Sequence, residues 1–151
     1  MYNRRLLTLF CFTFSLLLLF GFILQQKGPS IEGAWKLVHA TFRQNGSSTW
    51  EFPGASPGND MKIWSKGHFI FVGRFKDDTT ATDNFGGGTY TMEGNRYVEK
   101  IQFHIAPELV GTTAKMLLEI RNDTLIQTWP VGENGQIDKS SYNEEKYVRL
   151  D

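Results

Sequence analysis

Cysteine and basic charge are scarce in this chain of 151 residues. The single cysteine, Cys11, lies in an apolar N-terminal stretch, so the remainder can form no disulfide and no cysteine-ligated metal site. Residues 1–30 contain no acidic residue, and residues 31–151 carry 13 of the 16 bases against all 16 acids, a formal charge of −3. Nucleic-acid binding needs a basic patch, so we expect no nucleic-acid partner.

Recognisable catalytic and metal-binding motifs are also absent. The three histidines are scattered without the spacing of zinc ligands, and no paired-carboxylate or Ser-His-Asp pattern stands out. The glycine-rich stretch DNFGGGTY (83–90) lacks the following helix and the Lys-Ser/Thr of a phosphate loop, so we expect a tight turn or a close backbone approach there. The sequence therefore predicts a protein that is not an enzyme and has no metal or cofactor.

The N-terminal stretch predicts export. Residues 6–24 are 19 residues without a charge, preceded by Arg4 and Arg5. That length is enough to span a bilayer as a helix, and no small-x-small cleavage site follows closely. Two alternatives remain open, an uncleaved membrane anchor and a cleaved signal. Both place the folded part outside the cytoplasm, because the two arginines stay inside.

The rest of the chain reads as one β domain, residues 31–151, after a signal or anchor segment with its linker, residues 1–30. No amphipathic helix of useful length appears. The predicted strands are 33–43, 59–65, 68–75, 87–93, 96–105, 113–121, 124–131 and 143–150. The predicted tight turns are Lys66-Gly67, Gly94-Asn95 and Asn122-Asp123, and the predicted long loops are 45–60, 76–88 and 130–141.

Eight short strands joined by hairpin turns indicate an all-β antiparallel barrel or sandwich. Most runs alternate between an apolar and a polar face, as expected for a sheet with solvent on one side. The alternation places two polar residues, Glu99 and Gln127, among apolar neighbours, where each needs a hydrogen-bond partner.

One resemblance narrows the fold. The motif GAWKLV (33–38) resembles the Gly-x-Trp start of the lipocalins and of the fatty-acid-binding proteins, which together form the calycins. The resemblance implies an up-and-down barrel of eight to ten strands that holds a small apolar ligand. It also implies that Gly33 and Trp35 close one end of the barrel and that Arg149, in EKYVRL, packs across Trp35.

A longer series of blocks resembles an uncharacterised lipocalin-like family of bacterial membrane-attached or secreted proteins. The blocks are MKIWSKGHFIFVGRF, NFGGGTYTMEGNRYVEKIQFH, LIQTWPV and EKYVRL. The chain departs from the fatty-acid-binding proteins in one respect. Those proteins end in an Arg-x-Tyr carboxylate clamp, whereas the order here is Tyr147-Val148-Arg149, so a bound fatty-acid carboxylate is not implied.

The leading functional hypothesis is a binding module for a small apolar or amphipathic ligand. The expected pocket residues are Trp64, Phe69, Phe71, Tyr90, Tyr97, Phe103, Met116, Gln127, Trp129, His39 and Glu99. His104 falls on the polar face of its strand unless a bulge rotates it inward. The alternatives are a packed structural or interaction domain at the cell surface, and a haem-binding barrel. Alternation cannot distinguish a hollow barrel from a filled one, because both show the same pattern.

Overall fold

The computed structural model describes residues 30–54, 57–77 and 80–151. The predicted N-terminal hydrophobic helix, residues 6–24 of the signal or anchor segment 1–30, lies outside the described residues. The described residues contain nine β-strands and one short 3₁₀ helix, Pro107–Leu109. The strands are β1 (Gly33–Gln44), β2 (Ser47–Phe52), β3 (Gly58–Ser65), β4 (His68–Asp77), β5 (Thr80–Glu93), β6 (Arg96–His104), β7 (Thr113–Arg121), β8 (Thr124–Trp129) and β9 (Ser141–Arg149). None of the described residues belongs to a helix long and apolar enough to cross a membrane.

The strands form one closed antiparallel sheet. Their order is β2-β1-β3-β4-β5-β6-β7-β8-β9, and β1 also pairs with β9. Eight strands therefore close into a barrel, which leaves no exposed edge along most of their length. Strand β2 is an addition: β1 pairs with β3 through residues 33–36 and with β2 through residues 40–44. The prediction of an all-β antiparallel barrel is confirmed at this level.

Two of the predicted loops were wrong in part. The range 45–60 contains β2, which is joined to β1 by Asn45 and Gly46, both with positive φ (52° and 79°). That Asn-Gly pair is the usual signal of a two-residue hairpin. The range 76–88 contains the end of β4 and the start of β5, which pair out to Asp77 and Thr80. The end of β4 and the start of β5 are mostly polar and pair through backbone hydrogen bonds. Alternation of apolar and polar residues therefore does not reveal this pairing.

The three predicted tight turns are confirmed. Lys66-Gly67 and Asn122-Asp123 have positive φ at both positions, and Gly94 has φ +61° at the first position of its turn. Positive φ at these positions matches the right-handed twist of the flanking strands, which fixes the register of each hairpin. The register in turn decides which side chains face the barrel interior.

One end of the barrel is closed by Trp35. Its side chain is 1 % exposed, and its indole nitrogen donates to the carbonyl of Ile31 at 2.9 Å. The guanidinium carbon of Arg149 lies 4.3 Å from the centroid of the Trp35 ring, and its Nη1 donates to the carbonyl of Glu32 at 2.8 Å. Gly33 has φ +125°, and a Cβ there would lie 2.6 Å from that Nη1, so only glycine fits.

We predict that Trp35→Ala lowers the free energy of unfolding by about 3–5 kcal/mol, because it empties a fully buried site at the closed end. Urea unfolding of the full-length chain, followed by circular dichroism, measures this loss. Trp50, which is 38 % exposed on β2, provides the matched control, and Trp50→Ala should cost clearly less. A loss below about 1 kcal/mol for Trp35→Ala would show that Trp35 does not hold this end together.

Candidate functional site

The barrel is hollow. A cavity of ≈ 560 Å³ lies inside it, with a wall that includes Phe71, Ile101, Met116 and Trp129. A second cavity of ≈ 540 Å³ opens beside Leu37, Ala40 and Phe75. Asp60, Asn84 and Glu145 line both cavities, so these three side chains border both spaces. The volumes are those of sites for small organic molecules.

A buried ion pair lies beside the first cavity. The Lys62 Nζ is 2.6 Å from Glu99 Oε1 and donates also to Gln127 Oε1 at 3.1 Å. Lys62 is 3 % exposed, Glu99 3 % and Gln127 2 %. The three residues come from β3, β6 and β8, and each faces inward because it falls on the same side of its strand as a buried aromatic or aliphatic neighbour.

Aromatic side chains enclose this pair at the closed end. The Trp64 indole nitrogen donates to the Tyr97 hydroxyl at 2.7 Å, and that hydroxyl donates to Glu99 Oε1 at 2.8 Å. The Lys62 Nζ lies 5.1 Å from the Trp64 ring centroid and 5.2 Å from that of Phe69. Burial, and the Glu99 carboxylate next, raise the pKa of Tyr97, which therefore stays a neutral donor. The ammonium is stabilised by one carboxylate and by ring faces.

Two further carboxyl groups face the cavity from other strands. Glu145 Oε2 accepts from the Tyr147 hydroxyl and from Gln127 Nε2 at 3.3 Å. Asp60 Oδ2 accepts from Asn84 Nδ2 at 2.7 Å. Burial raises the pKa of Glu145 to about 7, against the opposing effects of Lys62 and the Tyr147 hydrogen bond. Burial also raises the pKa of Asp60. We call Asp60, Lys62, Glu99, Gln127 and Glu145 the interior cluster.

A bulge in β6 decides the positions of Phe103 and His104. Gly87 pairs with Phe103 and Gly88 with Ile101, so Gln102 is the extra residue. The side chains beyond it change faces. Phe103, expected to line the pocket, is 46 % exposed on the outer surface, so that prediction was wrong. His104 lines the cavity, packs edge-on against Phe71 and accepts the backbone N–H of Ala106 at 2.9 Å.

His39 is displaced for the same reason. The pairing of β1 with β9 shifts between Leu37 and His39, and Ala40 then takes the buried inward position. His39 is half-buried and lines neither of the two cavities. The expectation that it shares an inward face with Trp35 was wrong, because one extra residue reverses the alternation.

The remaining predicted pocket residues divide into two groups. Phe71, Glu99, Met116, Gln127 and Trp129 line the first cavity. Trp64, Phe69 and Tyr97 are buried in the core, with Tyr90 half-buried against it, and none of these four lines the first cavity.

The glycines of β5 allow close contact at the barrel wall. Gly86 lies under the Phe71 ring and Gly87 under the Phe103 ring, and a Cβ on Gly88 would lie 2.0 Å from the Lys100 carbonyl. This is the close backbone approach predicted for residues 83–90, although it lies within a strand and not at a turn.

Three members of the interior cluster were missed by the sequence reasoning. Asp60 and Lys62 alternate with Trp64 along β3, and Glu145 stands two residues before the buried Tyr147 on β9. The alternation that places Trp64 inward therefore also places Asp60 and Lys62 inward. Charged side chains are rarely buried, so three charged residues on inward faces were not expected.

The described residues contain no group of three or more His, Cys, Asp or Glu side chains that could hold a metal ion. The interior cluster provides three carboxyl groups, one ammonium and one amide in an aromatic-walled space.

Residues 30–151 match the family described as Domain of unknown function (DUF4488). The chain belongs to this family. No curated protein matches the chain, and no solved structure does. The matched range covers all the strands of the barrel, so the interior cluster belongs to the DUF4488 domain itself.

We predict that Lys62→Met lowers the free energy of unfolding by about 3–5 kcal/mol, because it leaves Glu99 as a buried carboxylate without its cation. The double variant Lys62→Met, Glu99→Gln should recover most of that loss, since a neutral amide can still accept from Tyr97. Urea unfolding followed by circular dichroism gives both values. Equal losses in the single and double variants would mean that the ion pair is not the source of the effect.

We also predict a pH-dependent gain from Glu145→Gln. The folded pKa of Glu145 is raised from 4.5 to about 7, so the folded state holds the proton more tightly than the unfolded state. The stability from this group is fully present below pH 4.5 and is lost as the pH rises through 7. Glutamine cannot ionise, so the variant should equal the wild type near pH 4.5 and exceed it by up to about 3 kcal/mol at pH 8.

Urea unfolding of both proteins between pH 4.5 and pH 8 measures this difference. Glu119→Gln is the matched control, because Glu119 lies on the outer surface beside Arg121, which lowers its pKa. A lowered pKa keeps the titration of that carboxylate away from neutral pH, so its variant should differ from wild type by a nearly constant amount between pH 6 and pH 8. A constant difference for Glu145→Gln as well would show that Glu145 does not titrate near neutral pH.

Proposed function

We propose that the chain is an exported, lipocalin-like binding module for a small amphipathic molecule, held inside the barrel. The observation that carries the proposal is the cavity of ≈ 560 Å³ with apolar walls and a charged base. Ligand sites in proteins combine mainly apolar walls with a few polar groups that orient the ligand, and this cavity has that composition.

The division of the barrel into two regions supports the proposal. The end closed by Trp35 is packed with aromatic side chains, whereas the interior cluster lines the first cavity together with Trp129. An amphipathic molecule would place its polar head against the cluster and its apolar part along Phe71, Met116 and Trp129. A barrel serving only as a packed structural domain would instead fill this space with its own side chains.

The haem alternative receives less support. His104 lines the cavity, which that alternative requires. The base of the same cavity carries Asp60, Glu99 and Glu145, and carboxylates there would repel the carboxylate groups of a haem. Export and membrane attachment through residues 6–24 belong to the proposal as the expected setting of the barrel.

We predict that a small molecule co-purifies with the full-length chain and that Ala114→Trp abolishes this. Ala114 is half-buried on β7 and lines the cavity, so an indole there would occupy the ligand's space. Solvent extraction of the purified protein followed by mass spectrometry measures the bound molecule. Glu119→Trp adds the same bulk on the outer face of β7 and should retain the ligand.

Circular dichroism spectra should show that both variants are folded. If the extracts of the wild type and of Ala114→Trp contain the same molecules in the same amounts, the cavity is not the binding site. If neither extract contains a stoichiometric small molecule, the proposal that the barrel carries a resident ligand is wrong.

A further inference from the structure

We infer that the polar head of the ligand is an organic cation, such as a primary ammonium group, which binds between Asp60 and Glu145. This inference rests on the proposed function, and it names the chemical class of the ligand. Three observations carry it: the balance of charge in the interior cluster, the carboxyl oxygens that receive no donor, and the side chains that border both cavities.

The interior cluster has too little positive charge. Three carboxyl groups, Asp60, Glu99 and Glu145, line the first cavity, and Lys62 is the one buried cation among the described side chains that line it. Lys62 lies 2.6 Å from Glu99, so this pair is neutral as a unit. Asp60 and Glu145 are left with hydrogen-bond donors but with no cation of their own.

Each of the three carboxyl groups uses a single oxygen in its hydrogen bonds. The donors reach Glu99 Oε1, Glu145 Oε2 and Asp60 Oδ2. Within the described ranges, the second oxygen of each group receives no donor, although Asp60 is only 5 % exposed. Every fully enclosed side-chain polar atom in those ranges does have a partner, so the second oxygens must be the ones that the cavity space reaches.

An anionic head fits this site poorly. Lys62 already donates to Glu99 and Gln127, and an incoming carboxylate or phosphate would have to compete with Glu99 at 2.6 Å. It would also meet Asp60 and Glu145 at close range. A neutral alcohol would satisfy one oxygen but would leave the charge unbalanced. An ammonium group offers three N–H donors and a full positive charge.

The side chains that border both cavities mark the position of the cationic head group. Asp60, Asn84 and Glu145 line both spaces, so a head group there can contact the two carboxyl groups that have no cation. From the same point, the wall formed by Phe71, Met116 and Trp129 is available to an apolar tail. Burial raises the pKa values of Asp60 and Glu145, and the opposing attraction of Lys62, which is paired with Glu99, does not outweigh it.

The test compares three probes of one chain length: octylammonium, octanol and octanoate. The full-length chain is reconstituted in nanodiscs of zwitterionic lipid, and binding is measured by isothermal titration calorimetry with empty nanodiscs subtracted. We expect octylammonium to bind at least about tenfold more tightly than octanol, because charge-assisted hydrogen bonds to buried carboxylates are the strong ones. Octanoate should bind most weakly.

Variants locate the preference. In Asp60→Asn, Glu145→Gln, octylammonium should lose its advantage over octanol while octanol binding persists, since both replacements are neutral and close in shape. Glu119→Gln, on the outer face, should leave the preference unchanged.

The outcomes separate the two proposals. Equal binding of the three probes, or tighter binding of octanoate, overturns the inferred cation and leaves the binding barrel standing. A preference for octylammonium that survives in the double variant overturns the assigned position. If none of the three probes binds, the inferred cation fails together with the proposed carrier function.

Discussion

The ion pair between Lys62 and Glu99 is the constraint on which the barrel interior depends. An ammonium and a carboxylate withdrawn from water cost several kcal/mol each, and only good geometry with additional hydrogen bonds offsets that cost. The additional bonds come from Gln127 and Tyr97, and Tyr97 is in turn held by Trp64. These residues lie on β3, β6 and β8, which are not neighbours in the sheet. The pair therefore connects strands across the barrel, where the backbone ladder cannot.

The same pair explains why the barrel is hollow at one end and packed at the other. Below Lys62, aromatic rings surround its ammonium and the Trp35 side chain closes the end. On the other side of Lys62, the carboxyl groups of Asp60 and Glu145 lie inside the barrel. Apolar side chains cannot fill the space there without leaving these carboxyl groups unsolvated. The positions of the charged groups therefore account for the cavity.

Much of this arrangement was accessible from the sequence, through alternation. Alternation placed Glu99 and Gln127 inside, and turn chemistry gave the three hairpins that fix their register. Alternation failed where one extra residue enters a strand, as at Gln102. Such a bulge leaves no mark in the composition, yet it turns Phe103 outward and His104 inward. Alternation also failed for β2 and the start of β5, whose mostly exposed polar residues are held by backbone pairing and a few surface side-chain contacts.

Lys62 shows a different kind of failure. Its position between Asp60 and Trp64 is as clear by alternation as that of Trp64, but a lysine on an inward face is rare enough to be set aside. Its burial becomes reasonable only when Glu99 and Gln127 are seen to reach it from other strands, which is a fact of three dimensions. Sequence periodicity can assign a side chain to a face, but it cannot name the partner that makes a charge acceptable there.

The interior cluster reduces the stability of the barrel at neutral pH. Buried ion pairs are often no more stable than apolar residues of similar volume, and carboxyl groups whose pKa values are raised by burial oppose folding at neutral pH. Glu145 and Asp60 are in that position. The barrel could be closed by Trp35 and filled by aliphatic side chains without them. Groups that reduce stability and line an open cavity are characteristic of functional sites, and the organic cation proposed above would supply the positive charge that Asp60 and Glu145 do not have as a partner.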